Sequence, residues 1–150
     1  MSTDLPGAVL FACSQNCIRS PMAAAIMQHF YGHRVYVDSC GVRAGEEDGF
    51  VNQVLDEIGV DFSRHKSKCF EDMDDTSFDL VISLSPEAHH KAMEMTRTMA
   101  IDVEYWPTID PSLTAGSREQ ILDAYRACRD SLRKRIMDRF GGTGLPQVRA

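Results

Sequence analysis

The chain predicts an α/β fold: a single domain on a four-stranded parallel sheet with helices on both faces. Three observations carry this. Short apolar runs alternate with amphipathic stretches in the order β-α-β-α-β-α-β-α, the pattern of right-handed crossovers. The first run, Ala8 to Ala12, is apolar without interruption, as a strand buried on both faces must be. At 150 residues, 43% hydrophobic and 25% charged, the chain has enough material to bury one core without disulfides or metal.

The elements follow in order. Residues 1–7, with Pro6-Gly7, are a polar lead-in, and the core is expected over about 8–140 of one domain, 1–150. After the first strand, Met22, Ala25, Ile26 and Phe30 recur at helical spacing up to Gly32, with Ser20-Pro21 reading as cap and first-turn residue. Val35-Tyr36-Val37 is a second short strand, followed by a glycine-containing loop from Ser39 to Gly45. Phe50, Val54, Leu55 and Ile58 mark a helix stopped at Gly59. Asp61 to Thr76 is irregular and holds a small basic cluster, His65-Lys66-Ser67-Lys68. Phe78 to Leu84 is the third strand, and Ser85-Pro86-Glu87 opens the next helix. Ile101, Val103 and Tyr105 alternate with Asp102, Glu104 and Trp106, which predicts a half-exposed edge strand. The last helix has Ser117 as cap, Gln120 at the capping-box position, and the stripe Ile121, Tyr125, Cys128, Leu132, Ile136. Gly141-Gly142 stops it, and 143–150 is expected to be a frayed tail.

Composition narrows the function. A net charge of −6 argues against a nucleic-acid binder, whose footprint is basic. No segment approaches the roughly 20 apolar residues that span a bilayer. Five cysteines, an odd number without staple spacing and with no leader sequence before the domain, fit a reducing cytoplasm. An anionic substrate must then be drawn by local positive groups.

One stretch supplies them. Cys13-Ser14-Gln15-Asn16-Cys17-Ile18-Arg19-Ser20-Pro21 runs from the end of the first strand into the first helix. A short loop there aims backbone N–H groups and the helix dipole at one spot, where a dianion is favoured. The same field favours the thiolate, the nucleophilic form of cysteine. Arg19 offers a planar fork to two phosphoryl oxygens. Asn16, mid-loop, tolerates the left-handed backbone that a tight anion-binding loop needs. Ligands in such sheets bind beyond the carboxyl ends of the strands, so Asp110, after strand four, reaches the same edge as Cys13. It is the candidate acid–base group, with Glu46, Glu47 and Asp48 next in order.

These features resemble the low-molecular-weight protein tyrosine phosphatases, a family that includes thioredoxin-coupled arsenate reductases. The resemblance covers about residues 8–140. It rests on C-x-x-N-x-x-R-S-P, the Asp38-Ser39-Cys40-Gly41 turn, Phe78-Asp79 before strand three, and Asp110-Pro111. It implies a four-stranded parallel sheet of the phosphotyrosine phosphatase I type and a metal-free, cofactor-free phosphomonoesterase working through a phosphocysteine. It makes Cys13 the nucleophile, Arg19 the phosphate ligand and Asp110 the acid–base residue. Asn16 then holds the loop, Ser20 bonds the thiolate, and Ser14, Gln15, Cys17 and Ile18 complete the phosphate-binding loop. Expected partners are a phosphotyrosine protein or small aryl phosphate, with inorganic phosphate or another oxyanion in the loop.

Three departures stand out. Gln15 replaces the usual glycine and crowds the loop. Cys17 comes four positions after Cys13 where the family's second cysteine comes five after, leaving open whether the two pair. Ser112-Leu113 follows Asp110-Pro111 where the familiar phosphatases carry tyrosines. The alternatives are arsenate reduction by the same loop, or a catalytically weak phosphate-sensing or partner-binding module. The reductase branch uses extra cysteines after strand three, and Leu84 to Met99 holds none.

Other residues read as structural. Cys40, Cys69 and Cys128 are core or surface thiols. His29 and His33 sit at a helix end with no third metal ligand, and His89-His90 are solvated. Met93, Met95, Met99 and Met137 are pliable core. Arg43, His65, Lys66 and Lys68 read as solvated charge, with a place on the rim of the site as the alternative.

Overall fold

Strand β1 (Ala8–Cys13) is the centre of the molecule, and all six of its residues are buried. The computed structural model describes residues 5–73 and 77–141. Around β1 the sheet is completed by β2 (Tyr36–Gly41), β3 (Leu80–Ser83) and β4 (Asp102–Tyr105), in the order β2-β1-β3-β4 and parallel throughout. Each crossover carries a helix: α1 (Arg19–Tyr31), α2 (Gly49–Asp56) and α3 (Pro86–Met95), with α4 (Arg118–Phe140) closing the chain. The expected tail over 143–150 lies outside the described residues, as do residues 1–4 of the lead-in and 74–76 of the irregular stretch.

Side-chain alternation along β1 divides the core into two layers. Val9, Phe11 and Cys13 face α1 and α4, where Met22, Ile26, Met27, Leu122, Tyr125, Leu132 and Ile136 pack. Ala8, Leu10 and Ala12 face α3, against Val81, Ala88, Ala92 and Ile101. A fully buried side chain of this kind contributes about 1.5–3 kcal/mol. The expected caps are present at Ser85, whose hydroxyl accepts from Ala88 N, and at Ser117, which shares a capping box with Gln120. Gly141 ends α4 at φ 83°. Arg129 is nearly buried, yet it bonds Glu57 at 2.7 Å, Asp130 at 2.8 Å and the Val54 carbonyl at 2.9 Å, and so fastens α4 to α2. Among the described residues no helix is long and apolar enough to cross a membrane.

Four expectations are corrected. The strand read at Val35 to Val37 runs instead from Tyr36 to Gly41, because Asp38-Ser39-Cys40-Gly41 pairs in register with Leu10 to Cys13. Tertiary pairing with a central strand overrides the weak strand propensity of those residues. Trp106, placed on the polar side of the edge strand, is buried against Phe11 beneath Arg135 of α4, which reaches over that edge. His89 is not simply solvated: its ring stacks on Tyr105 and bonds Ser83 at 2.9 Å. Met93 is exposed, whereas Met95, Met99 and Met137 pack against the cores.

Candidate functional site

The order β2-β1-β3-β4 places β1 where the chain winds first one way and then the other, and the crevice beyond that point is where such sheets bind ligands. A cleft of about 270 Å³ lies there, lined by Cys13, Ser14, Gln15, Cys17, Ile18, Arg19, Arg43, Asp110 and Ser112. Sequence positions 13–19 and 110 thus converge. Asn16 and Ser20 sit fully buried beneath the loop and do not line the cleft.

The loop's shape follows from where its carbonyls go. Cys13 O accepts from Val42 N (3.1 Å), Ser14 O from Arg43 N (2.8 Å) and Gln15 O from Gly45 N (2.7 Å). Asn16 O accepts from Ser67 Oγ at 2.7 Å and also meets His65 Nε2 at 3.1 Å. Four successive carbonyls are therefore held outward. In a trans peptide the next N–H points the opposite way, so the N–H groups of residues 14–17 turn into the cup, which makes an anion nest. The Asn16 N–H does so visibly, reaching Cys13 Sγ at 3.3 Å.

Asn16 is the keystone of the loop. It is the one described non-glycine residue with positive φ, at 53°. Its amide donates to Ser20 Oγ and Ser39 Oγ, both at 2.9 Å, and its Oδ1 accepts from Lys68 N at 2.9 Å. Gly41 is required beside it, since a Cβ there would come within 2.7 Å of Asn16 N and 2.5 Å of Arg43 O. Gln15 does not crowd the cup. It is exposed and leans over Gly45, where a Cβ would meet its Oε1 at 2.9 Å.

The Cys13 sulfur lies 3.0 Å from Ser20 Oγ and accepts from Asn16 N at 3.3 Å and Ser20 N at 3.5 Å. Ser20 is therefore not the helix cap. Helix α1 begins at Arg19, with Ile18 in the cap position and no side-chain cap, and the Ser20 hydroxyl is turned to Cys13, Asn16 and the Cys40 carbonyl. Arg19 Nη1 donates to Thr108 O at 3.0 Å, two residues before Asp110. Asp110 caps a short 3-10 turn (Pro111–Leu113), its Oδ1 accepting from Ser112 N at 2.9 Å and Ser112 Oγ at 2.7 Å. Its second oxygen is left for other work. Asp48, a reserve candidate for the acid, is committed to Phe50 N and the Tyr125 hydroxyl, and Glu46 and Glu47 are exposed outside the cleft.

Burial bears on three of the other thiols. It raises Cys17 to about 11, helped by the neighbouring Cys13, Asp48 and Asp110, and raises Cys128 to about 12. Burial likewise pushes Cys40 well above the ordinary thiol range. Among the described residues no group of three or more His, Cys, Asp or Glu is arranged to hold a metal ion.

Sequence reasoning missed the supports. Ser39, His65, Ser67 and Lys68 all hold Asn16, and Lys68 Nζ is further tied to Asp38 at 2.8 Å. Arg43, read first as solvated charge with the rim as the alternative, stands in the cleft wall. The compositional signal was the His-Lys-Ser-Lys cluster, but nothing local tied it to a loop 50 residues earlier.

Comparison with known proteins fits this geometry. Glutaredoxin arsenate reductase from Synechocystis sp. is 27% identical over 128 residues, 85% of this chain and 92% of that one. The low molecular weight protein tyrosine phosphatase of T. tengcongensis superposes with TM-score 0.72 at 24% identity, covering 86% of this chain and 94% of that one. The tyrosine phosphatase Wzb from Escherichia coli, solved in complex with sulphate, gives 0.73 at 16% identity, covering 91% and 100%. At these identities the structural likenesses speak for the fold alone. The family model for low molecular weight phosphotyrosine protein phosphatases, however, matches residues 8–140. From the sheet order, the cupped loop and that match together, the chain belongs to the low molecular weight phosphotyrosine protein phosphatase family.

Proposed function

We propose that the chain is a cysteine-dependent phosphomonoesterase acting on phosphotyrosine. The observation that carries this reading is one sulfur, Cys13 Sγ, between two backbone N–H donors and the Ser20 hydroxyl at the floor of a cleft that also presents Arg19 and Asp110. The inward N–H groups and the Arg19 fork hold the three non-bridging phosphoryl oxygens. Cys13 thiolate attacks phosphorus while the bond to the tyrosyl oxygen breaks, and Asp110 gives that oxygen its proton. The now ionised Asp110 takes a proton from water, whose oxygen attacks phosphorus. Inorganic phosphate leaves, Cys13 returns as thiolate stabilised by Ser20, and Asp110 is protonated again.

An aromatic leaving group also finds apolar surface. Ile109 and Leu113 flank Asp110 at 86% and 80% exposure. The test is hydrolysis of an aryl phosphate by wild type and Cys13→Ser side by side. Wild type should turn over and the serine variant should only bind phosphate. Equal turnover by both would sink the reading.

Arsenate reduction is the second reading, favoured by the name of the Synechocystis relative. Reducing arsenate to arsenite takes two electrons, and two thiols supply them by closing a disulfide. Cys17 is the other thiol lining the cleft, while Cys40 and Cys128 are buried. Arsenate-dependent loss of two free thiols, abolished in Cys17→Ser, would favour this reading over hydrolysis. A binding module would show neither activity while still taking up phosphate.

A further inference from the structure

We propose that Arg43 is a substrate-binding residue outside the phosphate cup, taking a carboxylate beside the phosphotyrosine in exchange for Glu87. This rests on the phosphatase reading above and adds a substrate class to it: phosphotyrosine peptides with an acidic neighbour.

Among the residues lining the cleft, Arg19 and Arg43 are the positive ones. Arg19 is engaged with Thr108 O and, in the reading above, with the phosphoryl group. Arg43 instead makes a two-pronged pair with Glu87, at 2.7 and 3.0 Å. The Glu87 carboxylate thereby occupies the position that a substrate carboxylate would take, in the geometry that suits a guanidinium fork. Both side chains are about half exposed, 54% and 46%, so opening the pair costs little in water.

The two partners are anchored separately to the same loop residue. Arg43 N donates to Ser14 O at 2.8 Å, and Ser14 Oγ donates to Ser85 Oγ, the cap of the helix that carries Glu87, at 3.1 Å. The guanidinium can leave Glu87 while its backbone stays fixed beside the nucleophile. The rest of the rim repels anions: Asp110 in the cleft, and Glu46 and Glu47 exposed on the same loop as Arg43. An acidic leaving group is accepted only where Arg43 meets it.

The test uses the full chain and two phosphotyrosine peptides that differ only by Glu or Gln beside the phosphotyrosine. The readout is the ratio of kcat/KM for the Glu peptide to that for the Gln peptide. Relative to wild type, Arg43→Ala should lower the ratio roughly fivefold, the size expected for a solvent-exposed pair. Glu87→Gln, which removes the rival carboxylate, should raise it. Both changes should lie in KM and weaken with added salt. A ratio that is the same in all three proteins overturns the proposal. So does an Arg43→Ala loss of kcat that is equal for both peptides, which would put Arg43 on the phosphoryl group. If wild type hydrolyses neither peptide, the phosphatase reading itself falls and takes this one with it.

Discussion

Replacing Asn16 with alanine removes the one side chain on which the loop closes. Its amide satisfies the Ser39 hydroxyl and helps hold Ser20, and its carbonyl satisfies the Lys68 N–H. Ser20 keeps Cys13 and the Cys40 carbonyl as partners, so two groups lose theirs, the buried Ser39 Oγ and the half-buried Lys68 N. Each costs about 1–3 kcal/mol, and alanine at φ 53° adds roughly 1 kcal/mol of backbone strain. The sum is about 3–7 kcal/mol, a large share of the ~5–15 kcal/mol that a domain has in all. For a chain of this size that lowers Tm by about 6–28 °C, which calorimetry reads directly. Asn16→Gly relieves the strain but not the stranded groups, so it should recover only about 1 kcal/mol of the loss. An alanine variant within about 1 kcal/mol of wild type would refute the hydrogen-bond accounting. Full recovery by glycine would mean that strain alone was at work.

Three further outcomes are expected. Asp110→Asn should slow phosphotyrosine hydrolysis by roughly 100- to 10,000-fold and an activated aryl phosphate less, because a good leaving oxygen departs unprotonated; equal slowing for both would leave Asp110 a purely structural cap. Iodoacetamide at pH 7 should label Cys13 ahead of Cys17, Cys69 and Cys128, whose thiols are held neutral by burial or, at Cys69, first by the bond to Asp72; mass spectrometry of the first adduct decides it. The same shifts fix a sign for stability: unfolded thiols ionise from about pH 9, whereas folded Cys17 and Cys128 wait until about 11 and about 12. Urea midpoints should therefore fall as pH rises through 9 to 11, and a flat profile would contradict it.

What was legible in the sequence was what is contiguous or periodic. The nucleophile, the arginine and the loop asparagine lie within seven residues, after a strand whose unbroken apolarity declares its central place. Asp110 was found at long range because a parallel sheet sends every strand end to one edge. Contacts that cross the fold were hidden. Ser20-Pro21 carries the local signature of a helix cap, and only the sulfur above it explains why that hydroxyl points elsewhere. Asp38 to Gly41 reads as a turn because its strand character comes from β1 alone. The hold of residues 65–68 on Asn16 leaves no periodicity to detect, and a basic cluster on an irregular stretch looks the same whether it is solvated or engaged.

The bond from Arg19 to Thr108 has a consequence for how this chain tolerates change in length. Trp106 N and Thr108 N are tied to Ser83 O and Leu84 O at the end of β3, and Thr108 Oγ1 returns to Trp106 O. Between the edge strand and the acid the backbone is thus pinned at nearly every second residue, with the guanidinium as the last pin. One residue inserted there would rotate Asp110 away from Cys13. The stretch Thr114 to Gly116, exposed and before the α4 cap, is tied to its own turn by Thr114 N on Pro111 O at 3.1 Å rather than to a strand end, and would absorb the same insertion. Two neighbouring loops of similar appearance therefore differ in whether their length is free to drift.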